Sequence, residues 1–148
     1  MRSILAGCAM LCAAALLGAG PAGAQESLGE LLDRGAVKMT RAELVAALQN
    51  TVMSGDSLRR QGGAVRFEYS PDGTVTGVFR NDNGEFRHAG TWRVEDSGLF
   101  VRETTVTPGG DRRTERRFFY RLGDAYYAAE PTDERDAKVF KRLFEPRQ

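Results

Sequence analysis

The sequence predicts a mostly β domain: an antiparallel meander of about seven or eight strands, forming a curved sheet or small barrel, with a short N-terminal helix packed at one end. Three observations predict it. Turn signals recur roughly every 8–12 residues, as SPDG, NDNG, DSG, PGGD and GDA. Between them apolar side chains alternate with a period of two, as in FRHAGTWRV (Phe86–Val94), which is strand spacing. One earlier stretch, Thr40–Gln49, carries helical spacing behind a capping signal.

The elements follow in order. In residues 1–24, Arg2 precedes an apolar run from Ile4 to Leu17, then Pro21 and the small-x-small triplet Ala22-Gly23-Ala24. That is the pattern of a secretory signal peptide cleaved after Ala24. A lipobox at LAGC fits less well, because only Ile4 and Leu5 precede Cys8 as apolar region. The protein is therefore expected to be periplasmic or secreted. No second long apolar run follows, so no membrane span is expected.

Both cysteines, Cys8 and Cys12, fall inside the signal. The exported chain would have no disulfide, no thiolate metal site and no cysteine nucleophile. Removing Arg2 from 21 basic residues leaves 20, against 20 acidic ones. This balance gives no basic surplus for general nucleic-acid binding.

Residues 25–39 read as a polar lead-in, with a short helix at Ser27–Arg34. From residue 40 to 148 the chain reads as a single β domain. Thr40-Arg-Ala-Glu43 is a capping box, and Leu44, Val45 and Leu48 form the apolar stripe of a helix from Arg41 to Gln49. This helix is expected to plug or cover one end of the barrel.

Turn chemistry sets the strand registers. Pro71 and Gly73 suit a three-residue loop between Ser70 and Thr74. Tyr69 then faces Val75, Phe67 faces Gly77 and Val65 faces Phe79, all on one apolar face. A four-residue loop at Asn81–Gly84 pairs Arg80 with Glu85, an attractive opposition. A two-residue Asn83-Gly84 turn would set Asp82 against Glu85. The favoured register places His88 opposite Gly77, where a missing side chain leaves room.

At Glu95–Leu99 two turns compete. A three-residue loop with Gly98 left-handed sends Phe100, Arg102, Thr104 and Val106 inward and sets Arg102 against Trp92. A two-residue Ser97-Gly98 turn inverts that face. Both leave a charged residue near Trp92. Gly123-Asp124 suits a II′ hairpin that pairs Tyr120 with Tyr127. Residues 137–144 fit a strand through Val139, Lys141 and Leu143, or a short helix through Phe140, Leu143 and Phe144.

The chemistry is sparse. His88 is the only histidine and Trp92 the only tryptophan. With one histidine and no exported cysteine, a zinc site lacks ligands. No G-x-S-x-G nucleophile elbow and no glycine-rich phosphate loop occurs. Most acids sit in turns or alternate with arginines, which disfavours a paired-carboxylate hydrolase. Arg112, Arg113, Arg116 and Arg117, interleaved with Asp111 and Glu115, read as the solvated charge of an edge strand in preference to an anion site. No cofactor, no metal and no enzymatic activity are expected.

The TRAEL start at Thr40–Leu44, the YSPDGTVTG hairpin at Tyr69–Gly77 and the GTWRV strand at Gly90–Val94 carry a resemblance. Over about Thr40–Val101 the chain resembles small exported bacterial proteins of unknown function with lipocalin-like sheets. The resemblance implies a calycin-like barrel and a binding role.

Together these readings predict an exported binding module for an apolar or amphipathic ligand. Phe67, Tyr69, Trp92 and Tyr120 would supply surface, and His88 and Arg102 would supply polar contacts. The competing expectation is an envelope protein that binds another protein and takes no small molecule.

Overall fold

The structure, a computed structural model, describes residues 26–57 and 63–148. The proposed signal segment, residues 1–24, lies outside the described residues. Two helices, α1 (Leu28–Asp33) and α2 (Arg41–Leu48), accompany nine strands. These are β1 (Val37–Lys38), β2 (Thr51–Asp56), β3 (Ala64–Tyr69), β4 (Thr74–Asn81), β5 (Gly84–Val94), β6 (Phe100–Thr107), β7 (Arg112–Leu122), β8 (Ala125–Ala129) and β9 (Val139–Pro146).

Strands β2 to β9 form one closed antiparallel barrel. Pairing runs β7-β6-β5-β4-β3-β2-β9-β8, and β8 pairs back onto β7. Closure removes the exposed edges that an open meander of this length would carry. β1 adds to β7 beyond the last β6 pair, matching Val37 to Arg121 and Lys38 to Tyr120. Residues 137–144, open between helix and strand in the sequence, belong to a strand from Val139 onward.

The registers follow the turns. Tyr69 pairs with Val75, Phe67 with Gly77 and Val65 with Phe79. Gly73 takes φ +84°, the left-handed value the loop requires. Arg80 pairs with Glu85 and Gly77 with His88, while Asn81 and Gly84 extend the ladder so that only Asp82 and Asn83 turn. Trp92 pairs with Arg102 and Val94 with Phe100, with Gly98 at φ +82°. The three-residue loop is therefore the one formed, and Phe100, Arg102, Thr104 and Val106 face inward. Tyr120 pairs with Tyr127 across the Gly123-Asp124 turn.

α2 closes one end. Its capping box is present: the Thr40 hydroxyl accepts from the Glu43 N–H, and the Glu43 carboxylate accepts from the Thr40 N–H. Leu44 and Leu48 are fully buried among Met39, Tyr69, Trp92, Val94 and Phe100. Arg41 pins the helix start by donating to the Val94 carbonyl at 3.0 Å.

The residues read as a polar lead-in extend the domain. α1 has its own capping box, from Ser27 to Glu30. Leu28 and Leu31 are buried in a second cluster outside the barrel wall, with Tyr120, Tyr127, Ala129 and Val139. Two apolar residues three apart suffice to dock one helical turn. The barrel wall is thus apolar on both sides where β7, β8 and β9 meet α1.

Candidate functional site

The open end of the barrel holds a cavity of about 230 Å³. Met53, Val65, Phe67, Phe79, Phe86 and Val106 give it an apolar wall; His88, Arg102, Thr104, Glu115 and Arg142 are polar groups on that wall, and Ser57, Asp111, Arg113 and Thr114 also line it. Phe79 and Phe86 stack at 5.9 Å beside the β4–β5 turn. The far end is floored by Tyr69 and Trp92 above α2.

Three of the six sequence-predicted residues line this cavity: Phe67, His88 and Arg102. Arg102 is 7 % exposed. Its guanidinium lies over the Phe67 ring, 3.4 Å from the centroid. It donates to the Tyr69 hydroxyl at 3.1 Å and forms an ion pair with Glu115. Facing β7 across β6 supplies that carboxylate, because Arg102 pairs with Glu115 in the ladder.

Tyr69 and Trp92 form the layer beneath. Tyr69 is fully buried, edge-on to Trp92 at 5.6 Å and to Phe100 at 5.8 Å. Burial pushes its phenol up from the ordinary tyrosine value, opposed by the Arg102 charge. The Trp92 indole N–H donates to the Ser70 carbonyl at 3.0 Å, so its polar edge is satisfied by the β3–β4 turn. Trp92 is a floor residue and not a wall of the cavity.

Tyr120 stands apart. β7 alternates, so Phe119 points into the barrel while Tyr120 points out beneath α1. The sequence could not separate these faces, because both carry aromatics and both are buried. Tyr120 is a packing residue of the outer cluster, away from the cavity.

His88 is half-buried. Its Nδ1 lies 3.1 Å from the Thr104 hydroxyl, and its ring meets Phe67 edge-on at 5.4 Å. The space over Gly77 is filled by Phe67, whose Cδ1 lies 2.1 Å from where a Gly77 Cβ would stand. The room expected for the imidazole is therefore used by the phenyl ring. Burial first, then the charges of Arg102 and Arg113, lower the His88 pKa from 6.5, with Glu115 opposing. The imidazole is neutral at pH 7 and offers one donor and one acceptor.

The arginine run of β7 also divides by face. Arg117 is 4 % exposed and Arg113 lines the cavity, while Arg112 and Arg116 face out. Arg117 is thus an interior charge, contrary to the solvated-edge reading, whereas Arg113 reaches the cavity with half of its side chain exposed. The alternation itself was the available signal, since period two must send one set inward.

Arg142 was not anticipated. It is 4 % exposed and its guanidinium reaches the cavity from β9. Phe140, Arg142 and Phe144 alternate, a strand pattern obscured by the helical spacing of Phe140, Leu143 and Phe144. Burial lowers the Arg142 pKa, which Glu115 opposes; an arginine stays charged nonetheless.

Among the described residues, no group of three or more His, Cys, Asp or Glu side chains could hold a metal ion. Among the same residues no helix is long and apolar enough to cross a membrane. No family model, curated protein or solved structure matches the chain.

Proposed function

We propose that the chain is an exported, periplasmic or secreted, binding module that holds a small apolar or amphipathic molecule in the open end of its barrel. The observation that carries this reading is the cavity: about 230 Å³, closed below by α2, walled by aliphatic and aromatic side chains and carrying a few convergent polar groups. That composition is the usual one for small-molecule sites, although the volume falls below the roughly 300–1,000 Å³ of drug-sized pockets. A compact ligand fits the volume, as does one whose end emerges at the mouth.

Binding here is burial plus a few oriented hydrogen bonds. Phe67, Val65, Phe79 and Phe86 desolvate the apolar part, while His88 and Arg102 orient the polar part. No bond need be made or broken. The signal-peptide pattern of residues 1–24 is a sequence feature, so export is tested separately by fractionation and N-terminal sequencing of the mature chain.

Native mass spectrometry of the protein isolated from its own cell envelope tests the binding reading. A retained small-molecule mass, lost on unfolding, is the expected result. A bare chain that also fails to take up a neutral apolar dye such as Nile red would refute it.

A further inference from the structure

We infer that the ligand is a compact amphiphile with an anionic head, bound head inward against Arg142 and Arg102 with its tail toward the mouth. This inference rests on the binding reading above and names the class of molecule it takes.

The first support is a charge count. Arg102, Arg117 and Arg142 are all buried inside the barrel, at 7, 4 and 4 % exposure. One interior carboxylate, Glu115, faces them. It pairs with Arg102 and, at 3.4 Å, with Arg117. Arg117 also reaches Glu130 at 3.8 Å. Among the described residues no carboxylate lies within ion-pair distance of Arg142, whose Nη1 donates to the Lys141 carbonyl at 2.9 Å. Three buried guanidiniums against one interior carboxylate leave a positive surplus. Burying such a surplus is costly unless a counter-charge arrives.

The second support is a seat. A Cβ on Gly55 would stand 2.6 Å from Arg142 Nη1. The bare backbone of β2 at that point is what lets the guanidinium lie inside the wall. Arg142 lies close enough to Glu115, Tyr69, Arg102 and Arg117 to feel their charges, which groups it with the other buried arginines. Guanidiniums present paired donors suited to a carboxylate or phosphate oxygen pair.

The third support is polarity along the axis. Phe79 and Phe86 flank the β4–β5 turn at the mouth, whereas Tyr69 and Arg102 lie above the floor. An anion must pass the aromatic pair to reach the arginines. A tail left behind at the mouth then covers Phe79 and Phe86. A cationic or neutral head gains nothing at the deep end.

Isothermal titration with three probes of equal tail length tests this: octanoate, 1-octanol and octyltrimethylammonium. Octanoate should bind at least roughly tenfold tighter than octanol, the size expected for one charge-assisted contact. Octyltrimethylammonium should bind weaker than octanol. Arg142→Met should remove the advantage of octanoate over octanol. Octyl phosphate binding tighter than octanoate would identify a phosphate head within the same class. Octanol binding as tightly as octanoate would overturn the anionic head while leaving the binding module intact. Binding of none of the probes would overturn both. The wild-type series decides the matter even if Arg142→Met does not fold.

Discussion

The Arg102 guanidinium lies over the face of the Phe67 ring, 3.4 Å from its centroid, and that ring lies in turn over the bare backbone of Gly77. Strand pairing assembles the stack: Phe67 opposes Gly77, and Arg102 reaches across from β6. A desolvated guanidinium over an aromatic face is worth about 2 kcal/mol. The arrangement fixes the position of the charge at the bottom of the cavity.

Gly77→Ala therefore acts on the site as well as on the fold. The new methyl would stand 2.1 Å from Phe67 Cδ1, so the phenyl ring must leave its place. Overpacking of this kind costs about 1–3 kcal/mol. Urea unfolding should show a lower midpoint at unchanged slope, and octanoate affinity should fall with it. Unchanged stability would show that Phe67 can shift freely, and the stack would then not position Arg102.

Gly90→Ala should be worse. Its Cβ would stand 2.0 Å from the Glu103 carbonyl oxygen, on the backbone of the paired strand. A ring can rotate away, whereas a ladder strand can move only by breaking its hydrogen bonds. The expected cost exceeds the roughly 1–3 kcal/mol of side-chain overpacking. Thermal denaturation of the two variants side by side checks the order; a Gly90 variant milder than the Gly77 variant would contradict it.

Much of this barrel was legible in the sequence because its turns carry specific chemistry. Pro71 with Gly73, the Asn81–Gly84 loop that pairs Arg80 with Glu85, and Gly123 with Asp124 each fix a register, and register fixes which side chains meet inside. Hence Phe67, His88 and Gly77 were placed correctly from spacing alone. Alternation does not tell which face is inside when both are apolar. α1 covers β7 and β8 from outside, so Tyr120 and Phe119 are both buried and only the closed topology separates them. Arg142 was hidden for a related reason: its strand also carries helical spacing, and a buried arginine is not expected without a partner.

His88 should titrate below 6.5 in the folded protein. Burial favours its neutral form, as do Arg102 and Arg113; Glu115 opposes, and Thr104 and Phe67 complete the surroundings. The folded pKa is depressed, so the unfolded chain binds the proton more readily. The stability His88 contributes is then complete above the unfolded value near 6.5 and is lost as pH falls through the folded value. With one histidine in the chain, a proton NMR titration reads it directly. A midpoint above 6.5 would contradict the assignment. Octanoate in the cavity should raise the midpoint, because an anion favours the imidazolium, and octanol should not.

Glu115 and Arg142 should respond in opposite directions to loss of charge. Glu115→Gln leaves Arg102 and Arg117 without their shared interior counter-charge. Breaking a buried pair costs about 3–5 kcal/mol, and the lower end applies because Glu115 is one-quarter exposed. Arg142→Met instead removes surplus charge and should hold or raise the melting temperature of the ligand-free protein. Calorimetry on both variants checks the contrast. Destabilisation by Arg142→Met comparable to that by Glu115→Gln would mean that Arg142 serves the fold and not a ligand.

The floor of the cavity depends on a helix of eight residues, too short to persist alone in water. Two things hold α2 in place: the burial of Leu44 and Leu48, and the reciprocal bonds between Thr40 and Glu43. Those bonds also hold the Glu43 carboxyl below its ordinary value, through the Thr40 backbone N–H first and its hydroxyl second. Thr40→Ala removes the two bonds made by the hydroxyl, keeps the backbone one, and should cost about 1 kcal/mol. The effect should be local before it is global. Amide hydrogen exchange should accelerate at Leu44 and Leu48 more than at Val75 or Phe100 in the barrel wall, and Thr40→Ser should restore protection. Uniform acceleration across the sheet would show that α2 and the barrel open as one unit, and that the plug is no separate element.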